Sequence, residues 1–172
     1  MNTFKKIAVG GVLAAVATTG FAANQGSNGF NSTGDLLITL NINDEVRISN
    51  LGDITLDFAG ADISDTSPAC IYRNGGADYQ VTATGDGAAN AFTLTDGTNT
   101  IAYTVSFDDG AADTPMASGT ALARTNATGT DDDCVTNGGN NATITVGVAA
   151  AAANSLPQAA YTGTLTLLVA PN

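Results

Sequence analysis

The strongest constraint on the fold is the way the chain is punctuated. From residue 34 onward it breaks into short runs of alternating apolar and polar residues, each closed by Gly, Asn or Asp. Successive side chains of an extended strand point to opposite faces, so a period of two marks a strand with one buried face. Tyr79, Val81 and Ala83 alternate with Gln80, Thr82 and Thr84, and Ile144, Val146 and Val148 alternate with Thr143, Thr145 and Gly147. Thr100–Phe107 puts Ile101, Tyr103, Val105 and Phe107 on one face, and the Asp96-Gly97 pair before it is a strong hairpin signal. Further strands are expected at Val46–Ser49, Ile54–Phe58, around Cys70 and Tyr72, at Phe92–Thr95, near Thr120–Arg124 and at Tyr161–Val169. Residues 59–69 and most of 108–133 read as polar loops, and Ala149–Gln158 as a connection. Only the first residues and a short alanine run hint at a helical period. The expectation is an all-β, Ig-like sandwich.

One alternating run stands apart. Gly34–Asn43 places Leu36, Ile38, Leu40 and Ile42 on one side, behind a leader (residues 23–33) rich in Asn, Gly and Ser that reads as flexible. An ordinary first strand within its own domain and a strand destined for another copy both need one apolar face. Periodicity leaves both open.

Residues 1–22 read as a secretory signal: Lys5 and Lys6, an apolar stretch Ile7–Thr18, and Gly20-Phe21-Ala22 before the cleavage point. The apolar stretch is shorter than the roughly 20 residues needed to span a bilayer. Its removal leaves one domain's worth of chain, residues 44–172 after the leader and first run. The net charge is −11; losing both lysines leaves Arg47, Arg73 and Arg124 against 16 acids, a charge of −13. Such a surface repels nucleic acid and anionic membrane. Cys70 and Cys134, in an exported chain, are most economically read as a disulfide; they lack the close spacing of a redox pair, and without His they cannot fill a zinc shell.

Catalysis finds no equipment. The absence of His removes Ser-His-Asp and Cys-His machinery, and the absence of Lys after the signal removes Schiff-base chemistry. The acids lie in polar turns, and no Trp offers a platform for sugar. Asp108-Asp109 and Asp131–Asp133 lack the spacing of a calcium loop and read as solvated acidic loops. No enzyme activity, cofactor or metal is expected.

The signal, the leader, GDLLITLNIND running almost directly into EVRISNLGDITL, and the last run Tyr161–Val169 (YTGTLTLLV) together resemble a chaperone–usher fimbrial subunit of the alternate, colonisation-factor-like group or the archaic group. The 64-residue step between the cysteines is a departure, being wider than the early disulfide of archaic and classical pilins. The resemblance implies an Ig-like sandwich lacking one strand, which a periplasmic chaperone supplies first and the N-terminal strand of the next subunit replaces. It implies Leu36, Ile38, Leu40 and Ile42 as the donated residues, and Tyr161, Leu165, Leu167 and Val169 on the edge strand that receives chaperone and donor. It also implies an outer-membrane usher, a tip adhesin, and an extracellular fibre serving adhesion or biofilm. One domain suits a shaft subunit better than a two-domain tip adhesin. The alternative is a self-complete secreted β-sandwich acting as a coat or adhesion protein.

Overall fold

A computed structural model describes residues 23–136 and 139–172. The expected signal, residues 1–22, lies outside them, as do positions 137 and 138. The chain divides into one unit ending at Ile42 and a second spanning Asn43–Asn172. The second is β-rich: β1 (Val46–Ser49), β2 (Ile63–Arg73), β3 (Tyr79–Gly85), β4 (Thr93–Thr95), β5 (Thr100–Ala102), β6 (Thr104–Asp108), β7 (Thr114–Pro115), β8 (Ala121–Arg124), β9 (Ala142–Val148), a one-turn helix α1 (Ala150–Ala153) and β10 (Leu165–Pro171).

Two antiparallel layers enclose the core. One is ordered β1-β2-β9-β6-β7, the other β10-β3-β8, and β4-β5 form a separate hairpin. Alternation decides which side chains meet between them. Tyr79, Val81 and Ala83 of β3 face Ala69 and Ile71 of β2, Val105 and Phe107 of β6, and Ala142, Ile144, Val146 and Val148 of β9. Leu165, Leu167 and Val169 of β10 pack on this cluster while partly exposed. The all-β sandwich is as the sequence implies.

Several local expectations are corrected. Residues 59–69 hold the first half of β2 and are not a loop. Their Ser, Thr, Asp and Pro content looks loop-like because this half of the strand is solvent-facing, with Ser64, Asp65 and Thr66 exposed. Pro68 is accommodated because β2 is paired there on one side only, with Thr143 of β9, and β1 reaches no further than Cys70. Conversely, Ile54–Phe58 enters no ladder. The Thr100–Phe107 run is broken at Tyr103: Ile101 pairs with Leu94 in the hairpin, whereas Val105 pairs with Val146 of the large sheet. One strand thus serves two sheets, and its four apolar residues still share the buried face. The Asp96-Gly97 turn is as expected, with Gly97 at φ +92° and the Asp96 carboxylate accepting from the Thr98 and Asn99 amides.

The acidic loops are not simply solvated. Asp109 is 1% exposed and takes a hydrogen bond from the Tyr79 hydroxyl (3.2 Å). Its carboxylate faces Arg124 Nε at 3.8 Å, and Arg124 donates to the Phe107 carbonyl (3.0 Å) and lies over the Phe107 ring. Burial first, and then the Asp109 charge, push the Tyr79 phenol well up, so it remains a proton donor. Asp131 is also buried and accepts from the Thr136 amide (2.7 Å), shaping the loop that brings Cys134 to β2.

Cys70 and Cys134 are joined, with Cα atoms 5.8 Å apart. Closing a loop of 64 residues contributes about 4 kcal/mol in the chain-entropy model. The Cys70→Ser/Cys134→Ser variant is therefore expected to unfold at lower urea than the parent by about that free energy. An unchanged midpoint would show that the bridge constrains nothing in the unfolded chain.

Candidate partner-strand groove

One side of this site is the chain that follows β1. It leaves the ladder at Asn50, which adopts a left-handed φ of 64° and is tied by its side-chain amide to the Asp133 carbonyl (2.7 Å) and Asn140 (2.9 Å). Beyond it, β2 presents Pro68, which has no N–H to continue a ladder. Residues 51–58 therefore run on outside any ladder, held at their start by the Gly52 amide bonding to Ser67 Oγ (2.8 Å).

The other side is β10. It pairs with β3 from Leu165↔Gly85 to Pro171↔Tyr79 and stands at the end of its sheet, so its second edge carries no ladder. Between residues 51–58 and the stretch leading into β10 lies an open groove of about 1240 Å³. Ile101, Tyr103, Ile144, Val146 and Val148 form its floor, and Leu56, Leu156, Leu165 and Leu167 its sides. The floor is itself core: Ile144 is 1% exposed, and Ile101, Tyr103, Val146 and Val148 keep 6–8%. Both walls offer unpaired main chain above an apolar floor, which is the requirement for adding a strand. Fully extended, the eight wall residues from Leu51 to Phe58 would span about 26 Å.

The edge-strand residues divide. Leu165, Leu167 and Val169 lie in β10 with side chains toward the core, and Leu165 and Leu167 line the groove. Tyr161 does not belong to the strand: β10 begins at Leu165, and Tyr161 sits in the preceding loop with its hydroxyl donating to the Pro157 carbonyl (3.1 Å). The reason is local. Thr162 is bridged to Thr95, Gly163 lies so close that a Cβ would be 2.8 Å from the Thr93 carbonyl, and the Thr164 amide bonds to Asp86 (2.8 Å). Tyr161 still lines the groove.

Leu36, Ile38, Leu40 and Ile42 are 70–83% exposed and in no ladder. Among the described residues of their own unit, the one pairing is the bridge between Asn24 and Asp35, with mutual N–H···O bonds of 2.9 and 3.0 Å, which closes the leader into a loop. The alternating run is thus an apolar face without a core. The opposite wall, Leu51 to Phe58, contains the strand expected at Ile54–Phe58, but the sequence did not mark it as a wall. The signal was available: Ile54, Leu56 and Phe58 alternate, but nothing local says that their backbone goes unpaired.

Asp131, Asp132 and Asp133 could each offer a carboxylate oxygen within 4.8 Å of the others. Arg47 already occupies Asp132 at 2.7 Å. Among the described residues, no helix is long and apolar enough to cross a membrane.

No protein-family model and no curated protein matches the sequence. Solved structures do match in fold. One, described as a chaperone–tip adhesin complex vital for synergistic activation of CFA/I fimbriae biogenesis, superposes with a TM-score of 0.54 over 76% of this chain at 14% identity. Another, a point mutant of the CFA/I enterotoxigenic E. coli adhesin CfaE, does so with a TM-score of 0.50 over 74% at 13% identity. This chain spans 42% and 43% of the length of those two chains. In its architecture, then, the chain is a β-sandwich of the kind found in CFA/I fimbrial structures.

Proposed function

We propose that this protein is the structural subunit of an extracellular pilus, polymerised head to tail as the N-terminal arm of one copy fills the groove of the next. The observation that carries the reading is the pairing of two deficits in one chain. The groove lacks a strand, and the arm (residues 34–43) has four exposed aliphatic residues on one face, Leu37 exposed on the other, and no core. Their dimensions agree: Leu36 to Ile42 spans about 23 Å when extended, within the roughly 26 Å of the wall. Burying four such side chains would stabilise the contact by about 6–12 kcal/mol at most, from 1.5–3 kcal/mol each. The fold likeness to CFA/I fimbrial structures supports the same reading. An arm–groove contact is heterologous, so repetition yields an open filament. Before assembly the groove needs a temporary strand from a periplasmic chaperone, and export of the fibre needs an outer-membrane usher; a tip adhesin would end the fibre. Adhesion or biofilm formation is the role such a fibre serves.

Deletion of residues 24–43 tests this. The remainder, expressed in the periplasm, is expected to aggregate and to be rescued by a peptide of residues 34–43. A stable, soluble, two-state monomer would instead establish the self-complete secreted β-sandwich.

A further inference from the structure

The connection between arm and domain is three residues long and fully committed. Asp44 receives a forked pair from Arg73, with Nη2 at 2.6 Å and Nε at 3.0 and 3.1 Å from the two carboxylate oxygens. Asn74 holds the residues on either side: its Nδ2 donates to the Asn43 carbonyl (2.8 Å), its Oδ1 accepts from the Glu45 amide (2.8 Å), and its own amide donates to the Glu45 carbonyl (3.1 Å). Arg73 is 9% exposed and anchored further by the carbonyls of Asp78 and Asn172. Gly75 leaves room for the Asp44 carboxylate, since a Cβ there would lie 2.6 Å from it. Val46 then starts the ladder opposite Arg73.

Three consequences follow for an arm that tried to enter its own groove. A reverse turn at Asn43–Glu45 would break the clamp. Were that turn made, the arm would lie back along its own chain with Ile42 beside Val46, Ile38 beside Asn50 and Leu36 beside Gly52. Only Leu36 would reach the groove wall, which begins at Leu51. The polarity would also be parallel to β10. Val46 and Pro171 lie at the same end of the domain, paired with Arg73 and Tyr79 on either side of one turn, and both arm and β10 would run toward that end. A second copy meets none of these limits. It can place all four aliphatic residues along the wall and is free to take either direction, including antiparallel to β10 and parallel to residues 51–58.

Resting on the reading of the arm as the missing strand, we propose that the short, clamped connection Asn43–Glu45 prevents the chain from filling its own groove, so that the occupant is always the arm of a second copy. The device makes the subunit incapable of folding into a self-capped, assembly-dead monomer.

The test is refolding of the full mature chain by dilution, reading the folded monomer fraction by size exclusion and protease resistance. A Gly/Ser linker of about twelve residues inserted after Ile42 has a root-mean-square span of about 19 Å, enough to bring the whole arm to the wall. It leaves the clamp untouched. This variant is expected to raise the folded monomer fraction at least tenfold over the parent. Asp44→Ala/Asn74→Ala without the linker frees the turn without adding reach, and is expected to stay within twofold of the parent. A linker variant with no gain would overturn the proposal, as would a parent that already yields folded monomers lost on Ile38→Asp. An arm-deleted chain that refolds to a stable monomer unaided would refute the parent reading of arm and groove instead.

Discussion

Ile38→Asp combined with Leu40→Asp is expected to abolish polymerisation. Both residues are exposed in the free chain, at 83% and 80%, so the substitutions cost the isolated domain nothing. Their effect appears only when the arm enters a groove. Losing two buried aliphatic side chains removes about 3–6 kcal/mol of contact, which alone weakens association by roughly two to four powers of ten. Each aspartate must then either shed its charge or be buried beside a groove wall that carries Asp53 and Asp57. Thr39→Asp, on the opposite face of the arm, should be much milder. The measurement is the ladder of native assemblies in detergent before boiling, or sedimentation of refolded material. Equal effects at residues 38 and 39 would mean that the wrong face has been assigned to the groove.

Arg124→Ala is expected to be the most damaging single substitution inside the domain, at about 3–5 kcal/mol. It strands the Asp109 carboxylate, 1% exposed, with only the Tyr79 hydroxyl to satisfy it. It also releases the Phe107 and Ala112 carbonyls that the guanidinium now serves. The ion pair is not optimal: Nε and Oδ1 stand 3.8 Å apart, and each is buried without a hydrogen bond. Replacing both partners with apolar residues, Asp109→Leu with Arg124→Leu, should therefore recover most of the loss. Urea unfolding of the assembled or peptide-completed protein distinguishes the two. If Arg124→Ala unfolds within about 1 kcal/mol of the parent, the buried pair is not holding β6 to β8.

The two expected results draw on different kinds of information. Leu36, Ile38, Leu40 and Ile42 stand out in the sequence because alternation is a property of neighbouring residues. The pairing of Asp109 with Arg124 could not be seen that way. Asp108-Asp109-Gly110 has the composition of a solvated turn, and only the packing of β3, β6 and β8 places one of its acids in the core. The loop expected at 59–69 failed for a related reason. Half of β2 is exposed, so its polar residues satisfy a strand and a loop equally well. Read from the sequence, Tyr161 is joined to β10 because it falls on the same face as Leu165, Leu167 and Val169, with Gly163 between. The structure parts them at Thr162–Thr164, where bonds to Thr95 and Asp86 recruit that stretch elsewhere.

The sequence by itself determined the class of fold, most of its strands, the identity of the buried faces and the availability of one unpartnered apolar arm. Each follows from period-two patterning and turn residues, which are local. Tertiary structure alone decided that the sandwich is open, and where. The opening arises because the left-handed Asn50 and the N–H-less Pro68 end the β1–β2 ladder together, and because β10 has β3 on one edge and no ladder on the other. Those are relations between residues far apart in the chain. A strand's own pattern records which face it buries, but hydrogen-bonding edges are made by backbone groups that every residue shares. No side-chain periodicity reports whether an edge has found its partner.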